Sequence, residues 1–149
     1  MSTLSYKGKL SPGTQEKIRL RTLNGKRGYK IRKFSILPIT PGASGATVEY
    51  VSKITKIKAT SIIADVDFTD STILAVAYYQ DHENAGYAYK DIIFDNEKFN
   101  QDIYVQVSDA GSSSLECNYY IELEQFKLDL NSSTYHTLKN IKSRTQVGI

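Results

Sequence analysis

The chain has 149 residues, 40% hydrophobic and 23% charged, with a formal net charge of +3. These totals fit one globular domain large enough to bury a core, and they exclude a disordered chain. No run reaches the roughly 20 apolar residues of a bilayer-spanning helix, Met1–Lys7 lacks a signal peptide's apolar stretch, and the single cysteine, Cys117, excludes an intramolecular disulfide.

That cysteine usage points to folding in a reducing cytoplasm. Eleven tyrosines and no tryptophan suit strands, where aromatic rings pack well. Charge is unevenly spread. Residues 1–60 carry 13 Lys and Arg against Glu16 and Glu49, a balance of +11, and residues 61–149 carry 6 basic and 14 acidic side chains, a balance of −8. Three readings stay open: pairing within the fold, a basic face that docks on an acidic surface, and nucleic-acid contact.

Residues 1–15 hold few apolar side chains and read as an N-terminal arm, with a short strand at Ser5–Leu10 as a variant and a turn at Ser11-Pro12-Gly13. From Glu16 to Leu23 a strand is expected, with Ile18 and Leu20 inward and Lys17, Arg19 and Arg21 outward. Asn24-Gly25 is a hairpin signal, because both residues tolerate positive φ. A second strand spans Tyr29–Leu37. Tyr29 and Ile31 are out of phase with Phe34 and Ile36, so a bulge near Arg32-Lys33 is expected to bring both pairs to the core. Pro38 and Pro41 end that strand.

Residues 41–46 read as an exposed loop of small residues without the ending of a phosphate-binding loop. Thr47–Thr60 returns to a strand pattern. Ser61–Phe68 alternates again, with Ile62, Ala64, Val66 and Phe68 inward. Asp65, Asp67 and Asp70 are the best group for a hard cation, but their spacing is not that of a calcium loop, and a solvated strand edge is the preferred reading. Thr72–Tyr79 leaves strand and short helix open, with a buried central strand favoured. Gln80–Asp91 reads as a tyrosine-rich loop in which Tyr87 and Tyr89 have the composition of adaptable binding loops.

Ile103, Val105 and Val107 share one strand face, and Cys117, Tyr119, Ile121 and Leu123 share another. Phe126, Leu128 and Leu130 fall one step off, which predicts a bulge or a change of sheet near Glu124-Gln125. Asn131 or Ser132 caps a short helix through Tyr135, Leu138 and Ile141, and residues 144–149 form a tail.

Chemistry is sparse. No Ser-His-Asp, Cys-His or metal-ligand arrangement is evident in the pattern, so no enzyme, cofactor or metal is expected. His82 and His136 read as exposed side chains, and Cys117 as a packed thiol. Glu122 and Glu124, about 6–7 Å apart by strand rise, mimic an acid pair without a cleft.

Several segments carry a resemblance: Gly28–Phe34, Val66–Asp70 with Leu74–Tyr79, Ile93–Asn96 with Phe99–Tyr104, and Asn118–Glu124 with Leu138–Ile141. Together they resemble small virion structural proteins, without assigned mechanism, encoded by tailed phages of marine bacteria. The likeness runs from about Tyr6 to Arg144. It implies a capsid decoration or minor head protein, located in the virion after assembly in the host cytoplasm. No functional residue carries over from it.

The expected fold is all-β, a β-sandwich with a short C-terminal helix, for which a jelly roll is one form. Expected boundaries are an arm at 1–15, the sandwich at 16–143 and a tail at 144–149. Expected partners are the major capsid protein or neighbouring virion subunits, within a homo-oligomer for which a trimer is the guess, with no membrane and no nucleic acid. Candidate interaction residues are Lys17, Arg19, Arg21, Lys30, Arg32, Lys33, Tyr87, Tyr89, Glu122 and Glu124. The competing function is a receptor- or carbohydrate-binding module of a fibre or tail, acting through Tyr87 and Tyr89.

Overall fold

The computed structural model describes residues 2–40, 47–82, 86–94, 97–111 and 115–146. The loop expected at residues 41–46 lies outside them. Eight strands and one helix follow in order: β1 (Ser2–Leu10), β2 (Thr14–Ile18), β3 (Arg27–Pro38), β4 (Val48–Thr55), β5 (Ile73–His82), β6 (Gly86–Ile93), β7 (Ile103–Asp109), β8 (Cys117–Lys127) and α1 (Leu130–Gln146). They form two antiparallel sheets, β1-β8-β3 and β2-β7-β4-β5-β6. The expected all-β sandwich with a C-terminal helix is what the chain builds.

Pairing is nested: β1 with β8, β2 with β7 and β4 with β5. This is the order of one long hairpin rolled up on itself. In that scheme β3 and β6 are the remaining pair. They meet at one side of the sandwich, where the Tyr89 hydroxyl donates to the Phe34 carbonyl at 3.3 Å. Period-two alternation puts the core between the sheets. Ile103, Val105 and Val107 from β7 face Tyr119, Ile121 and Leu123 from β8, with Tyr29, Phe34, Tyr50 and Ile54 buried among them. Ile31 and Phe34 are both buried because the register shifts between Ile31 and Lys33. The bulge read from the phase slip is there.

Buried tyrosines need a partner for the hydroxyl. Tyr29 donates to the Arg21 carbonyl at 2.6 Å, Tyr50 to the Leu115 carbonyl at 2.6 Å, and Tyr119 to Glu16 at 2.8 Å. Each bond joins one sheet to the other or to a connection leading into it.

Several expectations are corrected. The N-terminal segment is not an arm: all nine residues of β1 pair with β8, and Leu4, Tyr6 and Leu10 pack on the core. The β2 strand ends at Ile18, although Leu20 is buried as expected. Leu23, Asn24 and Gly25 take positive φ (50°, 59° and 84°), but the turn does not close a hairpin, because β2 and β3 lie in different sheets. Residues 61–68 form no strand; Val66 and Phe68 are exposed, and this stretch has no ladder partner. Gln80–Asp91 is not one long loop but the end of β5 and most of β6. Near Glu124-Gln125, β8 runs straight on, in register with both neighbours, and Phe126 stays on the outer face. Residues 144–146 continue the helix instead of forming a tail. Thr72–Tyr79 is a buried strand, as favoured, second from the sheet edge.

Burying Leu10 contributes about 1.5–3 kcal/mol and the partly buried Leu4 and Tyr6 a fraction of that each, a substantial share of a typical total near 5–15 kcal/mol. Deleting residues 2–10 is therefore expected to abolish cooperative thermal unfolding, as followed by circular dichroism. A dispensable arm would leave the transition unchanged.

Candidate functional site

The outer face of the three-stranded sheet gathers charge from three distant segments. On β8, Tyr120, Glu122 and Glu124 point outward in turn. β1 brings Lys7 opposite Tyr120 and Ser5 opposite Glu122. β3 brings Ser35, Lys33 and Lys30 opposite Tyr120, Glu122 and Glu124. Arg32 reaches Glu124 at 3.1 Å and Lys30 reaches it at 3.9 Å. Strand order thus places the acidic strand between two basic ones, and the sequence-level charge imbalance is partly cancelled by pairing. Such half-exposed pairs contribute about 0–1 kcal/mol each. Their main effect is to set the pattern of an exposed sheet face, with the Tyr120 hydroxyl bonded to Glu122 at 3.1 Å.

The remaining candidates do not join this face. Lys17 is on β2 in the other sheet, paired with Asp102 at 3.5 Å. Arg19 and Arg21 sit exposed in the connection from β2 to β3. Tyr87 and Tyr89 lie on β6, and the Tyr89 hydroxyl is held between Phe34 and Asp91. Tyr89 is a strut between the sheets, which leaves Tyr87 as the exposed ring, edge-on to Tyr79.

A second surface was not anticipated. The helix α1 lies with its polar side on the sandwich: Ser133 and Asn140 are buried, and Thr137 is half-buried. Tyr135, Leu138 and Ile141, whose spacing marked the helix in the sequence, are 59%, 60% and 51% exposed. The dock is built from residues far apart in sequence. Asn100 Nδ2 lies 3.1 Å from the Gly25 carbonyl, 3.2 Å from the Ser133 carbonyl and 3.0 Å from Thr137 Oγ1. Gly25 is required twice over: its φ is +84°, and a Cβ there would meet Asn100 Nδ2 at 3.1 Å. Next to it, Glu97 takes Lys139 at 3.0 Å and Lys56 at 3.4 Å, and the Lys56 side chain is only 3% exposed.

Burial pushes the Glu97 carboxyl up, but the hydrogen bonds and charges of Lys139 and Lys56 outweigh it and hold it below its usual range. Burial lowers His136, helped by the charges of Lys139 and Lys98, which favours its neutral form. Asn100 Oδ1, His136 Nδ1 and Asn140 Oδ1 are buried without a hydrogen-bond partner among the described residues. Among the described residues, the contacts that hold the helix are thus mainly polar.

Other chemical candidates resolve into structural roles. Asp67 accepts from the Thr69 amide and hydroxyl, and Asp70 from those of Thr72, so both acids brace turns. Among the described residues no group of three or more His, Cys, Asp or Glu is placed to hold a metal ion. Burial raises the Cys117 thiol to about 12, far from the range of a reactive thiolate. No helix among the described residues is long and apolar enough to cross a membrane. No protein-family model and no curated protein matches the chain.

Because the folded Glu97 carboxyl lies below its unfolded value near 4.5, the unfolded chain binds the proton first as pH falls. The stability contributed by this pair is present above that value and lost below it. Urea midpoints measured between pH 7 and pH 3 are expected to fall with acid in the wild type. In Glu97→Gln the unfolding free energy drawn from those midpoints is expected to start lower, by about 1–3 kcal/mol because Glu97 is itself 31% exposed, and to depend less on pH.

Proposed function

We propose that this chain is a non-enzymatic structural protein of a phage virion, a capsid decoration or minor head protein that docks on the major capsid protein or on neighbouring subunits. The virion setting comes from the sequence resemblance. The nested strand pairing supports reading the sandwich as a jelly roll, an architecture shared by capsid and lectin domains.

One observation carries the docking part of this reading: the helix presents Tyr135, Leu138 and Ile141 to solvent while its polar side holds the sandwich. At i, i+3 and i+6 these residues fall along one stripe of the helix, as in a helix laid into an apolar groove. The matching surface is therefore an apolar groove on a virion subunit. The charged outer face of β1, β8 and β3 offers a second contact, with patterned charge setting orientation more than affinity. A homo-oligomer, as a trimer, is part of the same proposal.

Purified particles of the phage that encodes the chain are expected to contain it by mass spectrometry, and its absence would overturn the proposal. Leu138→Asp alters an exposed position and should leave thermal unfolding unchanged. It is expected to reduce retention of the protein on particles stripped of it and re-supplied by at least about tenfold, the effect of 1.4 kcal/mol.

A further inference from the structure

Each sheet has two edge strands, and three of the four edges are blunted. β2 has only five residues. β3 is interrupted by its bulge and ends in Pro38. β6 is tied back to β3 through Tyr89. Short length, bulges, proline and cover keep an edge from pairing with another chain. β1 has none of these. Its nine residues run in unbroken register with β8 and include no proline. Among the described residues, no backbone–backbone hydrogen bond joins β1 to anything but β8.

Lysine is the remaining device, and β1 carries Lys7 and Lys9. Leu4, Tyr6 and Leu10 pack on the core, so alternation puts both lysines on the outer face with Thr3 and Ser5. These lysines select one register. A second copy laid antiparallel along β1 about a two-fold axis pairs residues of the same face. With Tyr6 on the axis, all nine rows are filled: Lys7 faces the partner's Ser5, and Lys9 faces the partner's Thr3. Moving the axis to Lys7 sets lysine against lysine. Moving it to Ser5 loses two rows and leaves Lys9 beyond the paired strand.

The register on Tyr6 also matches charge. Ser5 sits opposite Glu122 in the ladder with β8, so the partner's Glu122 stands one strand beyond the partner's Ser5. Two strand spacings, about 10 Å, then separate the backbones of Lys7 and the partner's Glu122. A lysine and a glutamate side chain span that gap over a serine. Among the described residues neither Lys7 nor Glu122 forms an ion pair within its own chain. In the next such row Lys9 already meets Glu116 at 3.5 Å, and Glu124 meets Arg32 at 3.1 Å. The charges without an ion pair of their own are thus the ones that the axis brings together, once on each side. On the core side Tyr6 faces the partner's Tyr6, an aromatic cross-strand pair. Nine antiparallel rows carry roughly eight to ten main-chain hydrogen bonds, about the number in a typical protein–protein interface.

We propose that β1 is a homodimer edge: two copies pair antiparallel through Ser2–Leu10 about a two-fold axis at Tyr6, which joins their three-stranded sheets into one of six strands, with Lys7 reaching the partner's Glu122. The contact is independent of the virion reading, and being two-fold it is not a trimer contact.

The test is sedimentation equilibrium of the full chain up to about 100 µM, which fills a contact of micromolar Kd, together with hydrogen exchange read by mass spectrometry. The mass is expected to rise toward twice 16.7 kDa, and peptides covering Ser2–Leu10 are expected to gain protection as concentration rises. Ser5 is exposed. Ser5→Lys sets a lysine against the partner's Lys7 in two rows and is expected to weaken the dimer tenfold or more, with thermal unfolding unchanged. Adding Lys7→Glu restores opposite charges in both rows and is expected to return the affinity. The hydrogen-exchange result rests on the wild type alone, whatever the variants do. A chain that stays monomeric, a mass that settles at three chains, or protection gained away from β1 would each overturn the proposal. So would wild-type dimerisation in Ser5→Lys, or no recovery in the double variant.

Discussion

Four tyrosine hydroxyls tie one sheet to the other or to the connections between them, and much else in the structure depends on them. Tyr29, Tyr50, Tyr89 and Tyr119 present rings to the core and end on Arg21, Leu115, Phe34 and Glu16. A buried hydroxyl left unpaired costs more than a typical net hydrogen bond contributes, about 1–3 against about 0.5–1.5 kcal/mol. Each ring therefore fixes the position of its partner as well as filling volume. The bulge at Ile31–Lys33 matters for the same reason. Without that register shift, Tyr29 and Phe34 would not share the core face, and the tie to Arg21 would be lost.

The helix follows a different rule. Among its described side chains, those turned to the sandwich are polar, and it is held where three separate segments place polar groups: the turn at Gly25, Asn100, and the Lys56–Glu97–Lys139 cluster. Desolvating these groups offsets much of what their hydrogen bonds contribute. The outward Tyr135, Leu138 and Ile141 then stay in water at a cost that a partner surface would relieve. The helix thus combines a polar attachment to its own domain with an apolar face toward solvent.

Charge is organised by topology. The basic first half and the acidic second half of the chain do not form opposite poles, because β8 runs between β1 and β3 and meets their lysines and Arg32 across the ladders. The same principle acts in the five-stranded sheet, where β4 and β7 bring Lys53 and Gln106 side by side although 53 positions separate them. Neither arrangement is a sequence motif. Both are consequences of strand register.

What the sequence determined by itself was local. Period-two alternation placed β3, β4, β7 and β8, and a phase slip of buried residues revealed the bulge at Arg32-Lys33, because both depend only on neighbouring side chains. Tertiary structure decided everything that needs a partner. Ser2–Leu10 is polar enough to read mainly as an arm, with a strand at Ser5–Leu10 only as a variant, yet its whole length becomes a strand because β8 offers an edge. Ser61–Phe68 alternates well, yet it stays a loop because it has no ladder partner. The turn at Asn24-Gly25 has the composition of a hairpin, but it carries the chain between sheets and receives the helix. Helical spacing marked Tyr135, Leu138 and Ile141 correctly as one face. Whether that face turns in or out depended on Asn100 and Glu97, whose hydrogen bonds and charges exist at that spot only once the sheets have assembled.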